Sequence, residues 1–337
     1  MKIRSKAPFR VSFGGGGTDM PPYCTEHGGC VISTTIDRHA HITIEPRNDK
    51  KIKIFAIDSN QEFLFNIGNK DYSSDFELFK GVVNFLGINE GFNITTYSEL
   101  PAGSGMGGSS SLCVALIGAF NKYYQYGYDK HQIAQKACEI ERIELKQKGG
   151  FQDQFAAAYG GFNFIKFTNI VDVSPIQISE EMLNELHYRL ILCYIGGSHF
   201  SSEIQDEVLM GYKFEKKSFM EAMDDLKDVA HSMKNIVESD NLSTLNEFGD
   251  LLHRGWLAKK SLSSKISNED IEKFYLISRK YGVHGGKLLG AGGGGHLLLF
   301  SEPEKKFRVI HELEKIGGII VNFHFDSKGL EVWEVND

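Results

Sequence analysis

The sequence predicts an α+β fold of two domains, and two observations carry this prediction. Strand-like and helix-like segments follow one another in mixed order along the 337 residues, without the regular alternation that a parallel α/β sheet requires. The pattern also changes near residue 185, after which helical spacing dominates. A chain of this length is long enough for two domains and a large core. We predict a first domain over residues 1–185 and a second over residues 186–337.

In the first predicted domain, alternating apolar residues indicate strands, and apolar residues three and four apart indicate helices. The predicted strands cover residues 3–13, 31–44, 52–57, 63–65 and 92–97, and a hairpin covers 162–167 and 170–178. The predicted helices cover residues 75–86, 112–128, 129–148 and 153–159. A glycine pair at 160–161 ends the last of them.

The second predicted domain opens on a strand and then becomes mainly helical. Strands are predicted at residues 188–195, in a strand–glycine turn–strand unit over 285–300, and in closing strands at 318–325 and 330–335. Helical spacing covers residues 201–238, 242–263, 268–281 and 303–316. The sequence contains no internal repeat and no low-complexity tract.

Composition excludes several classes of protein. Hydrophobic residues make up 41% of the chain and charged residues 24%, which is typical of a globular protein. The net charge of −7, without a long basic run, argues against a nucleic-acid partner. The five cysteines form no CxxC pair, so we expect reduced core residues and neither disulfides nor a zinc site. We find no signal peptide and no apolar run of the roughly twenty residues that span a bilayer, and we therefore expect a cytoplasmic protein.

The segment LPAGSGMGGSSSL, residues 100–112, is the first candidate site. Four glycines in six positions permit positive φ angles and let a ligand approach the main chain closely. The segment follows a predicted strand and leads into a predicted helix, which the serines at 109–111 are suited to cap. Free amides and the positive end of a helix dipole attract phosphate. We predict that this segment binds phosphate.

Two other interpretations of this segment were weighed. Gly103, Gly105 and Gly108 also fit the dinucleotide pattern GxGxxG, and Asp129 lies about twenty residues further on, where a ribose ligand is expected. That motif requires a strand between helix and acid, whereas this sequence predicts a second helix there. The P-loop pattern is absent, because no lysine precedes the serines. A glycine-rich turn without a ligand remains the simpler alternative.

Two acids are candidates for chemistry beside such a phosphate site. Asp153 opens a short helix, where it could serve only as a partner of the helix dipole, or could accept a proton from an attacking hydroxyl as a weak base. Glu141, on the preceding helix, could lie on a solvated face in an i,i+3 pair. It could equally be an oxygen ligand for magnesium, which needs one or two protein groups.

A second glycine-rich segment follows the first strand. Arg10 precedes a run of four glycines at 14–17, and Asp19 follows shortly after. The glycine amides could form a nest for an anionic part of a substrate, and Asp19 could hydrogen-bond sugar hydroxyls. An arginine at a strand end is usually a surface residue, but this one adjoins a loop too rich in glycine to serve stability alone.

Three motifs occur in a fixed order: APFRVSFGGGGTD at residues 7–19, PAGSGMGGSS at 101–110, and KLLGAGGGG at 287–295. Together they resemble the three motifs of the GHMP kinases, the family of galactokinase, homoserine kinase, mevalonate kinase and phosphomevalonate kinase. The resemblance spans nearly the whole chain. It implies a GHMP kinase two-domain fold: a ribosomal S5-like N-terminal domain that binds ATP, a ferredoxin-like C-terminal domain, and a site between them.

The resemblance also implies roles for residues. Asp153 and Arg10 match the family's catalytic aspartate and its partner near the transferred phosphate, and Ser109 and Glu141 fall where the family holds Mg²⁺. The implied ATP-binding residues are Pro101, Gly103, Ser104, Gly105, Met106, Gly107, Gly108, Ser109 and Ser110. The implied substrate-binding residues are Gly16, Gly17, Asp19 and Gly292, to which we add Lys259, Lys260 and His199 as candidates for holding a sugar phosphate.

The same comparison suggests the substrate. Where galactokinase has a Glu-His pair this chain has Gly16 and Gly17, which argues against galactose. The patterns FRVSFGGGGTDMPPYC, GGFQDQFAAAYGG and GGKLLGAGGGG resemble most the members that phosphorylate the anomeric hydroxyl of a D-glycero-D-manno-heptose 7-phosphate in bacterial GDP-heptose synthesis. Fucokinase-like enzymes are the nearest alternative. Relatives tend to have an arginine after the strand at 190–195, where this chain has Gly-Gly-Ser-His at 196–199, so a phosphate contact carried to that position would be weaker and pH-dependent.

We therefore expect a sugar-phosphate kinase that uses ATP and Mg²⁺, acts on small molecules without nucleic acid or membrane, and is a monomer or homodimer. Two hypotheses from other classes remain. A binding module would sense ATP or sugar without turnover, and the intact Asp153, Glu141 and Arg10 argue against it. An oxidoreductase using the GxGxxG fit would bind NAD in preference to ATP.

Overall fold

A computed structural model describes residues 1–73, 76–197, 201–214 and 217–336. Its strands are β1 (Lys2–Gly14), β2 (Gly29–Arg47), β3 (Lys51–Ala56), β4 (Gln61–Asn66), β5 (Gly91–Ser98), β6 (Asn163–Phe167), β7 (Val171–Pro175), β8 (Leu190–Gly197), β9 (Val283–Leu288), β10 (Gly294–Ser301), β11 (Ile319–Ile320), β12 (Phe325–Asp326) and β13 (Glu331–Val335).

The helices are α1 (Tyr23–His27), α2 (Glu77–Phe85), α3 (Gly108–Tyr124), α4 (Lys130–Glu139), α5 (Gln152–Tyr159), α6 (Glu180–Arg189), α7 (Ser201–Lys213), α8 (Lys217–Ser239), α9 (Leu245–Ser261), α10 (Glu269–Lys280) and α11 (Pro303–Lys315). A π-helical turn (Ile140–Glu144) continues α4, and a 3₁₀ turn (Leu242–Thr244) precedes α9. The predicted α+β class is therefore confirmed.

The first sheet is built around the long strand β2. Its main path runs β13-β1-β2-β5-β3-β4, and β12 and β6 also pair with β2. Strand β2 has 19 residues and is long enough to pair with several strands along its length. Its first residues pair with β6 and its last residues pair with β5. Antiparallel pairing holds throughout except between β3 and β5.

The second sheet has the order β11-β8-β10-β9, and all its pairs are antiparallel. Helices α7–α10 connect β8 to β9, a tight glycine turn connects β9 to β10, and α11 connects β10 to β11. This βαββαβ arrangement with its strand order 4-1-3-2 is ferredoxin-like, as expected.

The C-terminal residues return to the first sheet. Strand β13 pairs with β1 from Lys2 opposite Val335 to Lys6 opposite Glu331, and β12 pairs with β2. The segment predicted as the second domain thus contributes strands to both sheets. The division at residues 185/186 itself stays a prediction.

A shared core joins the two sheets. Phe13 of β1 packs edge-on against Phe248 of α9 at 5.3 Å between ring centroids, and Phe300 of β10 lies next to Phe248. All three rings are buried in one cluster. The second sheet and its helices cover the apolar face of β1. This packing holds the part of β1 that contains Arg10 where the two sheets meet.

The helices predicted over residues 112–128 and 129–148 both end earlier than expected, the second with the π-helical turn that closes at Glu144. Helix α3 ends at Tyr124, before the predicted 128, because Gln125 has φ 55° and leaves the helical conformation. Asp129 is the N-cap of α4: its side chain accepts from the Gln132 amide while Gln132 bonds back to the Asp129 amide. This capping role accounts for Asp129 without a ribose ligand.

As predicted for core residues, Cys24, Cys30, Cys113, Cys138 and Cys193 are all free and buried. Among the described residues, no helix has both the length and the apolar character to cross a membrane.

Candidate active site

A cavity of about 590 Å³ lies between the glycine loop (residues 101–110) and the helices and strands of the second sheet. Most predicted site residues line it: Arg10, Gly16, Gly17, Asp19, Pro101, Gly103, Ser104, Gly105, Gly107, Gly108, Ser109, Ser110, Glu141, Asp153 and Lys259. Residues far apart in the chain, from Arg10 to Ala291, thus face one space. The sequence motifs converge on it.

Two predicted residues that the structure describes, Met106 and Gly292, do not line the cavity. Met106 is fully buried behind the loop. Gly292 packs instead against Ile266, where a Cβ would lie 2.8 Å from the Ile266 Cα, and its neighbours Gly290 and Ala291 line the cavity in its place. His199 lies outside the described residues.

The glycine loop holds a conformation that only glycine adopts easily. Gly103, Gly105 and Gly107 have φ angles of 73°, 75° and 78°. A Cβ on Gly105 would lie 2.5 Å from the carbonyl oxygen of Leu289, and one on Gly108 would lie 2.9 Å from the Phe9 ring. The loop therefore packs directly on the glycine turn between β9 and β10 and presents main chain to the cavity at the start of α3.

A buried histidine fixes the loop from the second sheet. His296 of β10 bonds through Nδ1 to the carbonyl oxygen of Ser104 at 2.8 Å. Since that oxygen only accepts, Nδ1 carries the proton. Burial lowers the pKa of His296, so the ring is neutral near pH 7. The two halves of the molecule hold the loop between them.

Asp153 and Arg10 form an ion pair beside the loop. The Arg10 Nε donates to Asp153 Oδ1 at 2.8 Å, and its Nη1 donates to the carbonyl oxygen of Gly105 at 2.7 Å. A Cβ on Gly107 would lie 3.2 Å from the Asp153 carboxyl group, so this acid touches the loop at the start of α3. The arginine is 5% exposed and the aspartate 24%. The surface interpretation of Arg10 is excluded, and the acid keeps access to the cavity.

Glu141 is buried against the same helix start. Ser109 Oγ donates to Oε1 at 3.0 Å, Ser110 Oγ donates to Oε2 at 2.8 Å, and Gln154 Nε2 donates to Oε2 as well. The carboxylate is 1% exposed, which excludes the solvated-face interpretation. The neighbouring Arg142 bonds to the carbonyl oxygen of Gly150 and forms no ion pair with an acid among the described residues.

The serines therefore do not cap α3, contrary to the prediction. The helix begins at Gly108, its N-cap is Gly107 in the left-handed region, and no side chain caps it. Ser111 Oγ donates to the carbonyl oxygens of Pro8 and Gly107. Because the hydroxyls bond elsewhere, the first amides of α3 keep no side-chain acceptor and stay available to a ligand.

Asp19 is held at the other end of the cavity by main chain. Its carboxylate accepts from the amide of Gly17 at 2.9 Å and from the amide of Gln152 at 3.1 Å. The Gln152 Nε2 adds a third bond at 3.2 Å. A Cβ on Gly150 would overlap this carboxylate at 1.9 Å, so the glycine before the Asp153 helix is needed for packing.

Two buried lysines from the second sheet and its helices form a part of the cavity lining that we call the basic wall. Lys259 of α9 is buried and donates through Nζ to the carbonyl oxygen of Gly290. Burial, with a smaller contribution from Arg10, lowers the pKa of Lys259 to about 8. Lys287 of β9 is also buried, donates to the carbonyl oxygen of Phe13 at 3.3 Å, and has a pKa well below the usual value because of burial and Lys259.

The sequence analysis names Lys259 but not Lys287 as a site residue. The one sequence feature that could have indicated Lys287 is a single lysine within the apolar and glycine-rich strand segment Val-His-Gly-Gly-Lys-Leu at 283–288. The third phosphate candidate, Lys260, is wrong: it pairs with Glu272 at 2.8 Å and lies over the Trp256 ring, away from the cavity.

Two regions of the chain match known protein families. Residues 77–161 match the family described as GHMP kinases N terminal domain, and residues 232–318 match GHMP kinases C terminal. A D-glycero-alpha-D-manno-heptose 7-phosphate kinase of Campylobacter jejuni is 35% identical over 99% of both chains. A bifunctional fucokinase/GDP-fucose pyrophosphorylase of Arabidopsis thaliana is 26% identical over 92% of this chain but only 31% of its own length. The crystal structure of a D-glycero-D-manno-heptose 1-phosphate kinase from Bacteroides thetaiotaomicron matches with a TM-score of 0.81 and 30% identity, covering 99% of this chain and 100% of that one.

Proposed function

The chain belongs to the GHMP kinase family, and on that premise we propose that it transfers the γ-phosphoryl group of ATP to the anomeric hydroxyl of D-glycero-α-D-manno-heptose 7-phosphate. The products are the heptose 1,7-bisphosphate and ADP. The anomer and the position of the first phosphate follow the name of the Campylobacter jejuni relative. The observation that carries the proposal is the meeting of the Arg10–Asp153 ion pair with the amide-rich start of α3 in one cavity.

The glycine loop is assigned to the ATP phosphates. Its positive-φ glycines present main chain to the cavity, and the start of the 17-residue helix α3 supplies amides without side-chain caps. Such a terminus attracts anions through both its amides and its dipole. The loop is fixed from behind by His296 and by close packing on Leu289, which suits a site that acts by positioning.

Asp153 is assigned the role of accepting the proton of the attacking hydroxyl. A carboxylate bound to a guanidinium is a weak base, but phosphoryl transfer depends mainly on positioning and on neutralising charge. In this role Asp153 orients the anomeric hydroxyl and accepts its proton as the O–P bond forms. Arg10 keeps the carboxylate in place and adds positive charge where the transferred group passes.

The residues around Glu141 fit a magnesium ion. A buried carboxylate at the start of α3 has two serine hydroxyls beside it, and no lysine or arginine pairs with it among the described residues. Hard oxygen ligands of this kind, few in number, are what Mg²⁺ uses when it also binds phosphates. Glu141 and Ser109, with Ser110 beside them, would hold the ion. When bound, Mg²⁺ would neutralise charge on the phosphates of ATP.

The basic wall and Asp19 are assigned to the sugar phosphate. Asp19, whose carboxylate is held by the Gly17 amide, would accept hydrogen bonds from sugar hydroxyls. Burial lowers the pKa of Lys259 and of Lys287, and the negative charge of a phosphorylated acceptor beside them would raise both pKa values and favour the charged amines. An unphosphorylated sugar would offer these buried amines no such partner. This feature favours a sugar phosphate over the fucokinase-like alternative.

A substrate panel tests the proposal. The purified protein would be incubated with ATP and Mg²⁺ and, separately, with the heptose 7-phosphate, fucose, galactose and mevalonate. The expected result is ADP release that is fastest with the heptose 7-phosphate and a product whose new phosphorus couples to the anomeric proton in NMR spectra. Faster turnover of fucose would favour the alternative kinase, and absence of ADP release with every acceptor would contradict a kinase of this class.

We further propose that the product feeds GDP-heptose synthesis for a capsule or lipopolysaccharide, in the cytoplasm, as expected for an enzyme that uses ATP. Deletion of its gene should remove heptose from the surface polysaccharide of the source cell, and an unchanged polysaccharide would contradict this assignment.

A further inference from the structure

A second cluster of ligand-type side chains lies outside the proposed active site. His39 and His41 of β2 and Glu99, the residue after β5, offer donor atoms that all lie within 4.8 Å of one another. Within the described residues, no other group of three histidine, cysteine or acidic side chains meets this criterion. We propose that His39, His41 and Glu99 bind a divalent transition-metal ion of the Zn²⁺ class, at a site distinct from that of the proposed magnesium.

The strand register places the three side chains on one face of the sheet. His39 and His41 are two residues apart on β2, so both project to the same side. His41 lies opposite Tyr97 of β5, and the Glu99 amide donates to the carbonyl oxygen of His39 at 3.1 Å, which continues this register beyond the strand end. The donors are therefore carried by paired strands, which position ligands more accurately than loops do.

The donor atoms lie close enough together for side-chain adjustment to close them around one ion. Two ligands about 2.0–2.1 Å from a tetrahedral ion are about 3.3 Å apart. His41 Nε2 and Glu99 Oε1 are 2.7 Å apart, as in a hydrogen bond whose proton an ion would replace. These side chains are 34% and 24% exposed, so an ion from solvent can reach them.

A carboxylate orients the buried histidine. His39 is buried, and its Nε2 bonds to Asp326 Oδ2 at 2.8 Å. Metal-binding histidines commonly donate their second ring nitrogen to a carboxylate in this way, which fixes the ring and leaves the other nitrogen for the ion. Here that other nitrogen is Nδ1. The Tyr97 ring stacks on His41 at 5.9 Å between centroids and limits its movement in the same way.

The donor set selects the class of ion. Two imidazoles and one carboxylate suit zinc and its neighbours among the transition metals, whereas Mg²⁺ prefers oxygen ligands alone. Three protein ligands leave at least one position for water. A bound ion would join β2 to the residue directly before Leu100, where the chain enters the glycine loop.

Metal binding by the full-length protein tests this inference without reference to activity. Protein stripped of metal would be titrated with Zn²⁺ in competition with a chromophoric chelator, and with Co²⁺ followed by its visible absorption. We expect one equivalent of Zn²⁺ to bind. The variant His41→Gln should bind it about 100-fold more weakly or worse, and Asp326→Asn should lose about 10- to 100-fold.

Two control variants and a second ligand variant accompany this test. His311→Gln, an exposed histidine on α11, and Glu141→Gln, in the proposed magnesium site, should both bind Zn²⁺ as the wild type does. Glu99→Gln repeats the ligand test should His41→Gln fold poorly, as judged by its melting curve without metal. Wild-type protein that binds no stoichiometric Zn²⁺, or ligand variants that bind it unchanged, would overturn the site and leave only hydrogen-bonded pairs.

Discussion

Two parts of the cavity lining, an acidic wall at Glu141 and the basic wall at Lys259 and Lys287, carry ionisable groups of opposite charge type without oppositely charged partners among the residues described. On the glycine-loop wall, Glu141 is a buried carboxylate whose described partners are the neutral donors Ser109, Ser110 and Gln154. On the basic wall, Lys259 and Lys287 donate to carbonyl oxygens, and neither forms an ion pair in the described part of the chain. Burying a charge without an opposite partner is unfavourable. On the proposed assignment, a cation would complete the first wall and an anion would complete the second.

This division assigns the substrates without reference to motifs. A cation beside the amides of α3 fits magnesium on the phosphates of ATP, and an anion beside Lys259 fits the phosphate of the acceptor. The Arg10–Asp153 pair lies between them, where the γ-phosphoryl group would meet the hydroxyl. Each prediction below alters one wall or the junction between them.

The largest effect is expected at the junction. Asp153→Asn removes the proton acceptor but keeps the size of the side chain, and kcat should fall by about 10²- to 10⁴-fold. ATP affinity, measured with a fluorescent nucleotide, should remain unchanged because the glycine loop is intact. Asp129→Asn is the matched control, since asparagine also caps helices and α4 lies outside the cavity. Near-normal turnover of Asp153→Asn would refute its catalytic role.

Next comes the acidic wall. Glu141→Gln replaces the charge that would hold the cation, so the Mg²⁺ concentration for half-maximal activity should rise about 10- to 100-fold. The measurement is a Mg²⁺ titration at saturating substrates. Glu139→Gln, an exposed residue two positions earlier, should leave the titration unchanged. An unaltered Mg²⁺ requirement in Glu141→Gln would separate Glu141 from the metal.

The basic wall should respond through the acceptor. Lys259→Met removes an ammonium group whose bond to a phosphate is worth about 1.5–3 kcal/mol, so KM for the sugar phosphate should rise about 10- to 100-fold while KM for ATP is spared. Lys260→Met serves as the control because Lys260 faces Glu272. Equal increases in both KM values would reject the contact of Lys259 with the acceptor.

The smallest effect is on stability as a function of pH. The pKa of Lys259 is lowered to about 8 in the folded protein, against about 10.4 in an unfolded chain. Between these values the unfolded state binds more protons, so the ligand-free protein should gain stability as the pH rises, by about 1 kcal/mol from pH 8 to pH 9. Denaturant unfolding of wild type and Lys259→Met would measure this gain. The same gain in the variant would exclude Lys259 as its source.

Features that depend on contacts between residues close in sequence could be predicted, whereas features that depend on contacts between distant residues could not. The glycine loop, Asp153, Arg10 and Glu141 are marked by short motifs whose local conformation requires particular residue types, and all four line the cavity. Lys287 escaped prediction because a single lysine in an apolar strand acquires meaning only when the second sheet brings it next to Phe13 of β1. No local pattern records that contact.

The errors have the same physical origin. The sequence predicts that the serines after Gly108 cap α3. In the structure their hydroxyls instead donate to the buried Glu141 carboxylate and to the Pro8 carbonyl oxygen, so they do not cap the helix. The pairing of β13 with β1 joins residues more than 300 positions apart, and its strand pattern does not reveal which sheet it enters. Tertiary partners decide both outcomes.

A crystal structure with a non-hydrolysable ATP analogue, Mg²⁺ and the heptose 7-phosphate would test the charge division most directly. The account predicts the triphosphate on the amides at the start of α3, the metal at Glu141 and Ser109, and the anomeric oxygen within hydrogen-bond distance of Asp153. The phosphate of the sugar should lie near Lys259. A triphosphate bound elsewhere, or an Asp153 carboxylate remote from both substrates, would contradict it.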